Sequence, residues 1–96
     1  MSFRVRLQIA ARLDIERLGD FLSEWSDSLA ERAVATLYDA VNSLQTMPDR
    51  GRPLTGPLRE LVVPFGKGAY IVRYVVSEHE VLITRIFHSL EDRPLA

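Results

Sequence analysis

Ninety-six residues, 47% of them hydrophobic, with twelve Lys plus Arg against thirteen Asp plus Glu, describe one compact domain too small to divide into two cored units. The absence of cysteine excludes a disulfide framework and a cysteine zinc site and fits a reducing cytoplasm. A formal net charge of −1 excludes any global attraction to nucleic acid, so direct sequence-specific DNA binding is not expected. The first seven residues lack the apolar core of a secretory leader, and no apolar run reaches membrane-spanning length. A cytoplasmic protein without a membrane partner is therefore expected.

Phe3, Val5, Leu7 and Ile9 alternate with Arg4, Arg6 and Gln8, a period of two that predicts a half-buried strand. The period then changes. Ala11, Ile15, Leu18, Leu22 and Trp25 recur at steps of four and three, one stripe of a helix whose acids, Asp14 and Glu16 among them, take the solvated side. Ser28 and Glu31 have the spacing of a capping box that starts a second helix. Its stripe runs Ala30, Ala33, Val34, Leu37, Val41 and Leu44, and Pro48 marks its exit. So short a connection predicts an antiparallel helical hairpin.

Residues 49–57 are rich in turn-formers and read as a loop. Three strands follow at about 58–63, 69–76 and 81–88, the last two joined by the polar turn Ser77-Glu78-His79-Glu80. A four-residue turn sets Val76 against Val81, Arg73 against Thr84 and Tyr70 against Phe87. The arginines then divide between faces, Arg85 with Tyr70, Val72 and Tyr74, and Arg73 opposite. The expected fold is α+β, in the order β-α-α-β-β-β, with the helical hairpin covering one face of an antiparallel sheet.

An arginine inside a strand is costly to bury unpaired, so Arg59, Arg73 and Arg85 either meet local acids such as Glu60 and Glu91 or serve a partner. Trp25 reads as the end of the hairpin core or as an exposed anchor. His79 and His88, in a turn and at a strand end, do not make a metal site, and neither metal nor cofactor is expected.

The order of elements, with Asp14-Ile15-Glu16-Arg17-Leu18, Gly51-Arg52-Pro53, Leu58-Arg59-Glu60-Leu61, Tyr70-Ile71-Val72-Arg73-Tyr74 and Ile83-Thr84-Arg85-Ile86-Phe87-His88, resembles the RelE/ParE superfamily of toxins from type II toxin–antitoxin pairs. The resemblance runs almost end to end. In its RelE-like branch, cationic side chains on the sheet stabilise phosphate charge during messenger RNA cleavage. At the matching places this chain has Glu60, Val62 and Ile71, which leaves Glu60, Arg73, Arg85 and His88 as the alternative catalytic set, with Glu60 as base and His88 as acid. The ParE-like branch, which the strand motifs resemble more, implies no catalytic residues. It implies inhibition of DNA gyrase by protein contact and neutralisation by a ParD-like antitoxin with an acidic, amphipathic carboxy-terminal segment. Arg59, Arg73, Arg85 and Trp25 are the partner-binding candidates under that resemblance. A non-toxic antitoxin-binding module is a third reading, and the tail from Leu90 to Ala96 is a further candidate for partner contact.

Overall fold

The computed structural model describes residues 2–94, so Leu95 and Ala96 of the candidate tail lie outside the described residues. Strand β1 (Arg4–Leu7) leads into helix α1 (Ile9–Ser23), and helix α2 (Asp27–Ser43) returns antiparallel to it. Strands β2 (Arg52–Pro53), β3 (Leu58–Phe65), β4 (Gly68–Val76) and β5 (Glu80–His88) complete the chain. They form one five-stranded sheet in the order β1-β5-β4-β3-β2. The helices cover one face of this sheet, in the expected α+β arrangement. All the strand pairs are antiparallel except β1 with β5, which is parallel, so the sheet is mixed. The parallel pair follows from the connection: β1 reaches β5 only after the chain has crossed the sheet through the hairpin.

The predicted stripes are the core. Ala11, Ile15 and Leu18 of α1 meet Ala33, Leu37, Ala40 and Val41 of α2 above Leu61, Val63, Tyr70, Val72, Tyr74, Val81, Ile83 and Ile86 of the sheet. Small residues let the helices approach: a Cβ on Gly19 would stand 3.3 Å from Val34 Cγ2. Tyr74 anchors the loop that follows α2. Its hydroxyl accepts from Gly51 N at 2.7 Å and donates to the Pro48 carbonyl at 2.8 Å.

Several local expectations are corrected. Ile9 starts α1 and is exposed, because β1 ends at Leu7 once its last ladder bond, Gln8 N to Ile83 O, is made. The cap of α2 is Ser26, whose Oγ accepts from Leu29 N at 3.2 Å. Ser28 instead lies inside the helix, so the Ser28–Glu31 box does not form. Part of the loop at 49–57 pairs with β3 as the two-residue strand β2. The β4–β5 register begins as expected at Val76 and Val81, then shifts at a bulge between Arg73 and Tyr74, after which Arg73 faces Arg85 and Tyr70 faces His88. Thr84 is the extra residue there, with Tyr74 opposite Ile83 and Arg73 opposite Arg85, and its hydroxyl bonds the Arg73 carbonyl at 3.2 Å. A bulge inverts the facing of everything beyond it. Arg85 therefore leaves the core side and joins Arg73 on the outer face.

Candidate functional site: the outer face of the sheet and its edge

The face of the sheet turned away from the helices gathers most of the charged candidates. Glu60 of β3 is cross-strand from Arg73 of β4 and from Arg52 of β2. Its Oε2 accepts from Arg73 Nε at 3.2 Å and its Oε1 from Arg52 Nη2 at 3.0 Å. Glu60 is 3% exposed and Arg73 4%. Burial by itself raises the Glu60 pKa, but the hydrogen bonds and charges of Arg52 and Arg73 outweigh it and hold the carboxyl below its usual range. A carboxylate so held is a poor proton acceptor, and both its oxygens are occupied. Glu60 is thus placed as a structural counter-ion, which argues against the general-base role.

Arg73 has two further contacts. Its Nη1 donates to the Pro94 carbonyl, and its guanidinium lies 5.4 Å from the centre of the Phe87 ring. Arg85 stacks on the same ring at 4.8 Å. The two arginines thus flank Phe87, and the carboxy-terminal segment crosses the outer face to reach Arg73.

Arg85 pairs with Asp14 of α1, not with Glu91. Its Nε and Nη2 donate to the two carboxylate oxygens at 2.8 and 3.1 Å. Asp14 Oδ2 also accepts from Ile86 N at 2.8 Å. Asp14 is 4% exposed, and its expected place on the solvated side of the helix is corrected. Burial raises its pKa, but the bonds from Arg85 and Ile86 N and the charges of Arg85 and Arg17 bring it below the usual value. The reason for the burial lies in the sheet. Strand β1 covers β5 only as far as Ile83, so the edge donors beyond it require other acceptors. Asp14 supplies one, and Glu91 Oε1 supplies the next by accepting from His88 N at 2.7 Å. Arg17 bridges the two acids, 3.5 Å from Asp14 and 2.7 Å from Glu91. Asp14 and Arg17 are the residues that reading along the sequence missed. The only local signal was an acid on the boundary of the apolar stripe of α1.

The remaining candidates stand apart. Arg59 donates to the Gly51 carbonyl at 3.1 Å and the Asp49 carbonyl at 3.2 Å, which ties it to the loop after α2. His88 Nδ1 accepts from Leu90 N at 3.1 Å, and its ring meets Tyr70 edge-on. His88 lies on the Tyr70 side of the sheet, away from Glu60, so no acid–base pair spans one site. Trp25 follows α1 and is 77% exposed, which corrects its place in the core stripe and leaves it available as an anchor. Among the described residues, no group of three metal-ligating side chains comes together, and no helix is long and apolar enough to cross a membrane.

Known proteins share this architecture and sequence. The chain is 39% identical over 93 residues to Toxin RelE1 of Caulobacter vibrioides, covering 97% of this chain and all of that protein. It is 37% identical over 89 residues to Toxin RelE3 of the same organism, covering 93% of this chain and 97% of the relative. The chromosomal ParDE toxin–antitoxin system of P. aeruginosa contains a chain of the same fold, with a TM-score of 0.76 at 22% identity over 91% of this chain and 96% of that one. The RelBE2 toxin–antitoxin complex of Mycobacterium tuberculosis contains another, with a TM-score of 0.69 at 21% identity over 95% of each chain. Residues 5–93 match the family described as the ParE toxin of the type II toxin–antitoxin system parDE. With that match over an outer face of paired arginines, the chain belongs to the RelE/ParE superfamily of type II toxins, in the ParE toxin family.

Proposed function

We propose that this toxin acts by protein contact, with DNA gyrase as its target, and that a ParD-like antitoxin neutralises it. The observation that carries the reading is the closed state of the Glu60–Arg73 pair. A phosphate-cleaving site needs cations free to meet charge as it develops, and losing one such donor typically costs on the order of 10²–10³ in rate. Here Arg73 is spent on Glu60 and the Pro94 carbonyl, and Arg85 on Asp14. Val62 and Ile71 add no charge to this face. Supercoiling and cleavage assays with purified gyrase test the reading: excess folded toxin should block supercoiling. Undisturbed gyrase activity would remove that target.

A second reading, ribosome-dependent messenger RNA cleavage, has its own support. The relatives at 37–39% identity are named as RelE toxins, and names alone favour it over gyrase. Under it, Arg85, whose side chain is 43% exposed, is the cation best placed to meet RNA. Primer extension on transcripts after induction separates the two. Cuts at codon positions that vanish in Arg85→Ala, with folding intact, would establish the nuclease.

A further inference from the structure

Helices α1 and α2 leave an open groove between them at the end where they are joined. Gly19 of α1 with Ala30 and Val34 of α2 forms its floor, and Asp20, Asp27 and Glu31 stand on its rim. Among the described residues, no strand and no Lys or Arg contributes to its lining. The groove therefore belongs to the hairpin and carries one sign of charge. Trp25 lies in the connection between Ser23 and Asp27, which both line the groove, and is 77% exposed. A large ring left in water beside an apolar floor has the form of an interface anchor.

The fold by itself gives little reason for the acids at this end of the hairpin. Asp20, Glu24, Asp27 and Glu31 are all exposed, and none makes an ion pair among the described residues. Asp20 and Glu24 lie toward the carboxy-terminal end of α1, whose last turn has no basic residue. The negative pole of the helix is there, so the helix favours cations at these places. Asp20 with Glu24, and Asp27 with Glu31, are also like charges four residues apart, a spacing at which they weaken a helix. Only Asp27, in the first turn of α2, is favoured by its own helix. Asp14, Glu60 and Glu91, by contrast, each hold an arginine.

We propose that this groove is the surface by which the toxin meets its target, and that its occupant is a Lys- and Arg-rich segment of that protein. A protein that holds DNA offers Lys and Arg along the DNA path, because neutralising phosphate supplies much of that affinity. Asp20, Asp27 and Glu31 carry the charge to meet such a surface in place of phosphate. Trp25 anchors the contact, and the apolar floor takes the stems of the basic side chains. The same rim repels an acidic antitoxin segment, so the two partners answer oppositely to a change of charge here. This rests on the protein-contact reading of the toxin and adds to it the face used and the chemistry of the target surface.

The test is the double reversal Asp20→Lys, Glu31→Lys, compared with the unaltered toxin in gyrase supercoiling assays and in growth after induction. Both positions are exposed and unpaired, and a cation at residue 20 suits the end of α1, so the variant keeps its fold and its thermal midpoint. The toxin concentration for half-inhibition of gyrase should rise about tenfold or more, with growth arrest weakened in step. Trp25→Ser, which leaves the charge alone, should weaken inhibition as well. Affinity for the product of the neighbouring reading frame should hold steady or rise in the double reversal. A folded reversal variant that inhibits and arrests like the unaltered toxin overturns the proposal. A matching fall in antitoxin affinity also overturns it, by assigning the groove to the antitoxin. If the unaltered toxin leaves gyrase undisturbed, the gyrase reading fails and growth arrest alone decides the groove. Arrest lost on reversal then supports a different basic target, whereas arrest that persists, or is absent from the start, overturns the groove as well.

Discussion

Glu60 shows how one residue can decide between chemistry and architecture. Its two arginine partners differ in what they risk. Arg73 is buried with it, whereas the Arg52 side chain is 69% exposed. Removing one member of a buried pair strands the other charge, so Glu60→Ala should cost roughly 3–5 kcal/mol of unfolding free energy in urea titrations. Arg52→Ala should cost below about 1 kcal/mol, because water replaces the lost contact. Equal losses for the two variants would show that Glu60 is not structurally bound to Arg73. Asp14 and Glu60 together set the response to acid. Both carboxyls lie lower in the folded chain than in an unfolded one. Their contribution is complete above the unfolded pKa values and lost as pH falls through the folded ones. Thermal midpoints should therefore fall below about pH 4, the ordinary carboxylate range. The Asp14→Asn, Glu60→Gln double variant should be less stable near neutrality and lose much of that acid sensitivity.

At the scale of the element, short strands place demands on distant side chains. The four residues of β1 leave half of β5 without a neighbour on that edge, and the bulge at Thr84 determines which amides face outward there. Asp14 and Glu91 then act as substitutes for a strand. Helix α2 depends in the same way on one side chain outside its stripe. Ser26→Ala should destabilise the domain by about 1 kcal/mol through loss of the N-cap bond. Ser28→Ala, at an exposed position already within the helix, should change the denaturation midpoint little. The reverse order of effects would restore the box at Ser28 and Glu31.

Across the whole molecule, charge is layered. Residues 9–44, which span the helical hairpin, hold three arginines against seven acids, while the remaining positions hold nine cations against six acids. An acidic partner segment is thus drawn to the sheet and repelled by the hairpin. Antitoxin affinity should fall with added salt, mainly through slower association. Titration calorimetry and stopped-flow association across a salt series check this, and a salt-independent association rate would count against electrostatic guidance.

The helix stripes, the order of the elements along the chain and the family were legible in the sequence because each rests on local periodicity or on motifs in a fixed order. Leu37, Val41 and Leu44 announce a buried face through their own spacing. Arg73 and Glu60 were already candidates for each other as neighbouring strands. The pairing of Arg85 with Asp14 joins residues 71 positions apart, and no local pattern encodes it. It exists because β1 stops short and a bulge turns Arg85 to the outer face. Sequence determined which side chains this toxin possesses and the order of the elements that carry them. Only the tertiary structure decided which arginines are spent on internal acids and which edge amides meet carboxylates, because those depend on where strands end and not on what they contain.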